Sequence, residues 1–373
     1  MLIKFLKIIF NILPTFNPKR SFKSYLLNRF IINREIKKLK ETEKKTMVVV
    51  YDCHCSPPTL GDFFCTMMMA RFFLLKKKKV KFYIVQDNVR KENWKRLKKK
   101  NYKKKIREFE NLAKILLKNT SSNFTVSCVK FSYLKNKVLM SNKFQIFFKE
   151  RILERKKIYN FCTNLIFKIV INEGSNFRKR FLLNKNTFSK TYKNKIKNDY
   201  VTVHLRKAIN DKNSDYSKHI SQWRNIDDNE IDKILGNIHK KFPKHMIYVI
   251  SDKFKTKYLK KIILKKNNLT SNMIKKIKFS KDFTKSFLED GHTILNSKYY
   301  FQIWGGGPCV FTYFSKINFL RVSEVLTNET PYLYPMKLKP FAPWHEKSKN
   351  IFIETLKKET KIFYKALKEL KNQ

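Results

Sequence analysis

The order of apolar and polar residues divides the chain into two blocks, in each of which short apolar runs alternate with longer amphipathic stretches. In the first block, runs of strand length cover residues 46–51, 80–86 and 124–129. Helical patterns cover residues 62–75 and 91–118, and a mostly helical region covers 143–183. The first block therefore predicts strands separated by helices.

The second block repeats this arrangement after a polar segment, residues 184–198, that is rich in Lys, Asn and Thr. Its predicted strands are 200–205, 246–250, a short strand near Ile277, 299–304 and 317–322. Its predicted helices are 228–240, a helix from Lys255 and a stretch that ends at Ser315. Strands that alternate with helices predict two doubly wound α/β domains, whose ligands bind at the carboxyl ends of the strands. We place these domains in residues 46–195 and 196–345.

The two ends of the chain have amphipathic patterns. Residues 1–13 are apolar except that Lys4, Lys7 and Asn11 share one side of a helix, and basic residues follow. This run is too short to span a bilayer. It predicts that segment 1–45 lies on an anionic membrane surface, although a helix that packs on the protein is the alternative. In the last segment, 346–373, the pattern predicts one amphipathic helix that packs back on the body.

The chain is strongly basic, with a formal charge of +54. Such a charge is typical of proteins that bind nucleic acids. The lysines are spread along the chain, however, and abundant Lys, Asn, Ile and Phe with few Gly is the composition expected of an AT-rich genome. A hydrophobic content of 42% excludes a disordered basic protein. Two explanations of the charge stay open. One is drift in composition, with a secondary benefit at anionic membranes, and the other is a role with nucleic acid.

Neither the cysteines nor the acidic residues predict a metal site. Cys53 and Cys55 are too close together for a zinc pair, and a second pair is missing. Asp227 and Glu230 have the spacing of a capping box that opens the next helix. We therefore predict that the protein requires no metal.

Asp62 is the candidate general base. It follows the first predicted strand, after Gly61, which permits a tight turn. Asp62 can cap the helix that begins there. Its carboxylate can equally deprotonate an acceptor hydroxyl, and the two roles are compatible.

Two strands of the second block end in polar residues. The first ends in His204, Arg206 and Lys207, and His204 and Arg206 share a face. An arginine at the carboxyl end of a strand is well placed to bind a diphosphate through two hydrogen bonds. The next strand delivers Ser251 and Asp252 to the same rim.

A run of glycines follows a third strand of this block. Gly305, Gly306 and Gly307 make up three of the seven glycines in the chain. Glycines at the end of a strand let the backbone approach a ligand, and a following helix offers free N–H groups to a phosphate. Their clustering predicts a phosphate site.

The opening of the first domain resembles that of bacterial surface-carbohydrate glycosyltransferases, which have the two-domain B fold. The residues that carry this resemblance are Tyr51-Asp52, Pro58-Thr59, Asp62-Phe63 and Ala70-Arg71. The turn of Gly61 and Asp62 is also similar to the first loop of heptosyltransferases, in which the matching aspartate is a candidate base.

The second domain adds two resembling motifs. The strand with His204 and Arg206 resembles the His-x-Arg strand of fucosyltransferase-like enzymes, whose arginine holds the nucleotide diphosphate. Lys207 and Ala208 replace the Arg-Gly that often follows in that family. Arg224 and Asn225 look like an Arg-Asn motif of the surface-carbohydrate group. The resemblance covers residues 46–345, thinly between 100 and 195.

The resemblance implies a metal-independent, inverting glycosyltransferase that acts on a lipopolysaccharide or capsular precursor. The first domain would hold the acceptor and Asp62 would activate it. The residues that would bind the donor are His204, Arg206, Lys207, Arg224, Asn225, Ser251, Asp252 and Gly305, Gly306 and Gly307. The enzyme would need no cofactor besides its nucleotide-sugar substrate. It would lie on the cytoplasmic face of the membrane, and its last helix would cross back to the first domain.

Two other functions remain as alternatives. A nucleic-acid-binding protein would show a concentrated basic face with exposed aromatic side chains. A sugar-nucleotide epimerase would share the fold but would need no helix that faces the membrane.

Overall fold

A computed structural model describes most of the two predicted domains. The described residues are 45–54, 56, 58–87, 89, 94, 101–139, 145–148, 158–160, 166, 169–192, 199–205, 228–250, 261, 269–282, 284–303, 307–324, 349–353 and 359–370. The predicted membrane-surface segment, 1–45, therefore lies outside them except for its last residue. None of the described helices has the length and hydropathy that a bilayer-spanning helix needs.

The first unit is a parallel sheet with helices. Its elements are β1 (Thr46–Asp52), α1 (Leu60–Leu75), β2 (Lys79–Val85), α2 (Tyr102–Lys118), β3 (Phe124–Val129), α3 (Phe131–Tyr133), a π-helix (Leu134–Leu139), β4 (Gln145–Phe148), β5 (Ile158–Asn160) and α4 (Ser175–Phe181). The strand order is β3-β2-β1-β4-β5, and all neighbours are parallel. The order reverses between β1 and β4, as in a doubly wound sheet.

The second unit has the same winding. Its elements are β6 (Tyr200–Leu205), α5 (Asp228–Lys241), β7 (Met246–Ile250), α6 (Ser271–Lys276), β8 (Ile277–Phe279), a 3-10 helix (Ser280–Asp282), α7 (Phe287–Leu295), β9 (Tyr300–Ile303), α8 (Cys309–Tyr313), β10 (Phe319–Glu324), β11 (Lys349–Ile353) and α9 (Glu359–Lys368). The order is β11-β10-β9-β6-β7-β8, again with parallel neighbours. The order reverses between β6 and β9, so the prediction of two Rossmann-like α/β domains is confirmed.

Three short strands contradict the predicted helices. β4 and β5 lie in the region predicted to be mostly helical, and β11 lies where the predicted C-terminal helix begins. These strands have only three to five residues. An apolar run of that length does not separate strand from helix by its period. Because β11 pairs with β10, the second sheet extends beyond the predicted boundary at residue 345.

The last helix, α9, belongs to the second unit. Its buried residues, Phe363, Ala366 and Leu367, join a core formed by α5 and one face of the second sheet. The prediction that this helix crosses back to the first unit is therefore wrong for the contacts that the structure describes. The apolar side of this amphipathic helix is buried, as predicted, but it packs on the apolar face of the second sheet.

The other face of the second sheet packs toward the first unit. Phe64 of α1 is fully buried, and its ring lies 4.8 Å from that of Phe311 and 6.2 Å from that of Phe287. Tyr300 and Phe319, at the starts of β9 and β10, belong to the same core as α1 and β1. The main core therefore spans both units and holds α1 against α7 and α8.

Candidate functional site

The switch point of the second sheet brings two predicted motifs to one edge. β6 and β9 are neighbours, and His204 pairs with Gln302 and Leu205 with Ile303. Arg206 follows Leu205 directly, and the glycine run begins two residues after Ile303. Both motifs therefore leave the sheet at adjacent carboxyl ends, which is where doubly wound sheets bind ligands.

A row of polar side chains crosses the sheet just before this edge. His204, Gln302 and Arg321 lie in register on β6, β9 and β10. All three are buried. Tyr300 and Phe319 belong to the main core, which contacts the first unit. Gln302 lies two residues after Tyr300, and Arg321 lies two residues after Phe319. Because residues two apart on a strand share a face, the row lies on the face turned toward the first unit.

Arg321 gives this row a positive charge. Its guanidinium lies 5.3 Å from the centre of the Tyr313 ring, a cation–π distance. Within the described part of the chain, neither Nε nor Nη1 of Arg321 has a hydrogen-bond partner. A buried charge without a carboxylate partner is costly, and an anion bound nearby reduces that cost.

Tyr300 supports the row from the neighbouring position on β9. Its hydroxyl donates a hydrogen bond to Oε1 of Gln302 at 3.2 Å. Burial raises the pKa of Tyr300 well above its usual value, so the phenol is neutral and remains a donor. The amide of Gln302 is thereby held in place at the switch point.

The start of α1 packs against the end of the glycine run. A Cβ atom added at Gly61 would lie 4.0 Å from Cα of Gly307 and 3.6 Å from Cγ1 of Val310. A Cβ atom at Gly307 would lie 3.8 Å from Cβ of Leu60. The two loops that the sequence predicted to be functional therefore meet between the units, because small residues on both sides permit this approach.

Asp62 is the third residue of α1. The helix begins at Leu60 and Thr59 occupies the N-cap position, so the predicted capping role of Asp62 is wrong. The helix begins at Leu60, two residues before the predicted start at Asp62. Asp62 therefore lies in the first helical turn, immediately after the residue that approaches Gly307.

Two hydrogen bonds hold described residues of the loop between β1 and α1. Oδ1 of Asp52 accepts from the N–H of His54 at 2.9 Å, and the indole N–H of Trp94 donates to the carbonyl of Ser56 at 3.0 Å. Cys53 is buried, and this burial raises the pKa of its thiol, so it is not a thiolate nucleophile.

Most of the predicted donor-binding residues lie outside the described part of the chain. These are Arg206, Lys207, Arg224, Asn225, Ser251, Asp252, Gly305 and Gly306. Their roles stay predictions. His204 and Gly307 are described, and the strand that precedes Ser251 is β7, the neighbour of β6.

Sequence reasoning missed Gln302 and Arg321. Gln302 interrupts a short apolar strand, and that interruption is a signal that could have found it. Arg321 lies in a strand that also contains Ser323 and Glu324, so its sequence context gives no such signal. Sequence reasoning also assigned Arg71 to the resemblance with glycosyltransferases. In the structure Arg71 is buried in the first unit and binds the carbonyls of Arg180 and Phe181.

Glu230, one of the described acidic residues, serves structural contacts. Glu230 accepts from Nζ of Lys233 at 3.3 Å and from the hydroxyl of Tyr364 at 3.1 Å. Asp227, the predicted cap, lies outside the described residues. Among the residues that the structure describes, no group of three or more His, Cys, Asp or Glu side chains could hold a metal ion.

Comparison with known proteins gives distant structural neighbours. A family 9 glycosyltransferase from Veillonella parvula DSM 2008 is 10% identical, with 87% of this chain and 90% of that chain covered and a TM-score of 0.42. The iron-containing dodecameric glycosyltransferase TibC from enterotoxigenic E. coli H10407 is 11% identical, with 84% and 64% covered and a TM-score of 0.36.

A third neighbour comes from another class of enzyme. UDP-GlcNAc 2-epimerase from Methanocaldococcus jannaschii is 14% identical, with 97% of this chain and 78% of that chain covered and a TM-score of 0.31. No family model matches the sequence, and no curated protein matches it.

Proposed function

We propose that the chain is a glycosyltransferase that moves a sugar from a nucleotide-sugar donor to a glycan acceptor. One observation carries this proposal. The switch point between β6 and β9, where Arg206 and the glycine run follow adjacent strands, faces the helix start that carries Asp62. The approach of Gly61 to Gly307 supports this proposal, because a transfer between two substrates requires a donor site on one unit and a base on the other to lie close together.

In this proposal the second unit holds the donor. Arg206 and the backbone N–H groups of Gly305, Gly306 and Gly307 bind the diphosphate and stabilise the charge that develops on it as the glycosyl bond breaks. The buried charge of Arg321 adds to the positive potential at this edge. His204, Lys207, Arg224, Asn225, Ser251 and Asp252 line the rest of the donor site.

The first unit holds the acceptor and the base. Asp62 removes a proton from the acceptor hydroxyl as it attacks the anomeric carbon. Attack from the side opposite to the diphosphate inverts the configuration of that carbon. The mechanism assigns no metal and no cofactor, and a donor assay with and without EDTA tests this assignment.

We further propose that the acceptor is a lipopolysaccharide or capsular precursor and that segment 1–45 holds the enzyme on the cytoplasmic face of the membrane. The support is the apolar, lysine-interrupted sequence of that segment. Deletion of residues 1–34 should leave the melting temperature nearly unchanged and release the protein from anionic vesicles. A truncated protein that still sediments with these vesicles at moderate salt would contradict the anchor.

A thermal-shift screen of sugar nucleotides tests the donor site, because a ligand that binds the native state raises its melting temperature. Arg206→Ala should weaken binding of the best nucleotide by about 1.5–3 kcal/mol, since it removes a charge-assisted hydrogen-bond pair. Arg107→Ala, at an exposed position of α2, is the control and should bind normally. Equal binding by both variants would remove Arg206 from the site.

A turnover assay tests the chemistry. Asp62→Asn should retain donor affinity within a few-fold and lower turnover by ~10²–10⁴, the usual effect of losing a general base. Normal turnover in this variant would leave Asp62 as a structural residue. Donor that changes configuration in the absence of an acceptor would indicate an epimerase instead.

A further inference from the structure

A pocket lies in the first unit, away from the switch point of the second sheet. It has a volume of about 420 Å³ and is bounded by the last part of α1, the segment that follows α2 and the segment that follows α4. β3 begins at Phe124, directly after the 118–122 wall, so the pocket lies at the amino edge of the first sheet. Arg71 lies about 16 Å along α1 from Leu60.

The pocket is basic. Arg71, Lys118 and Lys190 line it, and its lining contains no Asp or Glu. Within the described part of the chain, none of these three cations has a carboxylate partner. A concave surface with three cations and no acid raises the local concentration of anions.

Arg71 lines the pocket and is itself buried. Its Nε donates to the carbonyl of Phe181 at 3.0 Å, and its two Nη atoms donate to Oγ1 of Thr120 at 2.5 Å and to the carbonyl of Arg180 at 2.9 Å. These acceptors are all neutral. A guanidinium has five N–H donors, so two are left beyond these three hydrogen bonds.

The remaining walls are rich in neutral hydrogen-bonding groups. Ser121 and Ser122 contribute hydroxyls, and Asn184, Asn186 and Thr187 contribute amides and a further hydroxyl. The 184–187 turn is held by hydrogen bonds from the N–H of Asn184 to Oγ1 of Thr187 and from the N–H of Asn186 to Oδ1 of Asn184, both at 2.9 Å. Hydroxyls and amides suit a polyol, whereas the cations suit a phosphate or carboxylate.

We propose that this pocket binds a small anionic saccharide, such as a sugar phosphate or an acidic sugar unit of a glycan. Its volume falls within the range of small-molecule sites. The ligand's anionic group contacts Lys118, Lys190 and the remaining N–H groups of Arg71, and its hydroxyls contact the 184–187 turn. This site does not depend on the proposed transferase activity.

Calorimetric titration tests the site, with glucose 6-phosphate as the probe and glucose as the neutral comparison. Glucose 6-phosphate should bind saturably in the millimolar range or better, and glucose should bind at least tenfold more weakly. A double variant, Lys118→Gln with Lys190→Gln, should lose at least tenfold in affinity for the phosphate. The matched double variant Lys103→Gln with Lys104→Gln, at the exposed start of α2, should bind within twofold of the parent.

Three results would overturn the proposal: equal binding of glucose and its phosphate, equal losses in the two double variants, or no saturable binding. Competition with UDP separates this site from the donor site. If UDP displaces the probe and the Lys118/Lys190 variant binds normally, the probe occupies the other site and the pocket proposal is wrong. A free glycan fragment that carries a carboxylate, titrated in the same way, distinguishes an acidic sugar unit from a sugar phosphate as the preferred ligand.

Discussion

Two helical glycines in the second unit differ in the space around them. A Cβ atom at Gly291, in α7, would lie 2.2 Å from Cε1 of Phe311, a ring at the centre of the contact between the units. A Cβ atom at Gly236, in α5, would lie 3.7 Å from the nearest side-chain atoms, those of Leu269 and Met273. The same substitution therefore has opposite consequences at these sites.

Gly291→Ala should destabilise the protein by about 1–3 kcal/mol, because it forces the ring of Phe311 out of a packed core. Gly236→Ala should stabilise it by about 0.5–1 kcal/mol, because alanine loses less entropy in a helix and finds room there. Denaturant unfolding of the two variants measures both effects. Equal changes in the free energy of unfolding of the two variants would show that the ring of Phe311 has space to move.

Single residues also show where sequence reasoning reached its limit. His204 was predicted from its alternation with Arg206, and the structure places it at the switch point. Arg321 was not predicted, because a charged residue in a strand points to a function only when its neighbours are known. The sequence does not show that Gln302 lies between His204 and Arg321, since that register comes from the pairing of distant strands.

Among the elements, α7 combines a cap with a buried histidine. The hydroxyl of Ser286 accepts from the N–H of Glu289 at 3.2 Å and thereby caps the helix. His292 is buried one turn later, and burial lowers its pKa below 6.5. The folded state therefore holds this imidazole neutral more strongly than the unfolded chain does.

This shift predicts acid sensitivity. Above about pH 6.5 the imidazole is neutral in both states, whereas at lower pH the unfolded chain binds a proton more readily and stability falls. Melting temperatures at pH 7.5 and 5.5 should therefore differ less in His292→Gln than in the parent. His54→Gln, at an exposed position, is the control and should keep the parental difference. An unchanged difference in His292→Gln would assign the acid sensitivity to other groups.

The local pattern predicted most of the strands but missed three that lie where it indicated helix. β1, β2, β3, β6 and β7 have five to seven residues, and the predicted strands match them closely. β4, β5 and β11 are shorter or lie among helical patterns, and their place in a sheet depends on neighbours far away in the chain. Local pattern alone therefore predicted the fold class and the edge strands β3 and β8, but not the edge strands β5 and β11.

Across the whole molecule, the two cores differ in what they connect. The core under α5 and α9 belongs to the second unit alone. The main core contains β1, α1 and α4 of the first unit together with α7 and α8 of the second. The face of the second sheet that carries the polar row is thus covered by the same contacts that join the units. The main core therefore both couples the two units and shapes the candidate site.

Phe64 is the residue that tests this coupling. Its ring contacts those of Phe287, Phe311 and Phe314 across the units. Phe64→Ala should cost about 3–5 kcal/mol, the usual cost of removing a buried phenylalanine. Because the lost contacts join the units, it should also divide thermal unfolding into two transitions, one for each unit.

Phe109→Ala is the matched comparison. Phe109 is equally buried, but its ring contacts are Tyr51 and Phe63 of the first unit. Phe109→Ala should lower the free energy of unfolding by a similar amount. The protein should still unfold in a single transition, because the contact between α1 and α8 is intact. Calorimetry of the two variants distinguishes these outcomes. A single transition in Phe64→Ala would show that the remaining contacts of α1 suffice to couple the units, and the polar row would then keep its shape without the Phe64 ring.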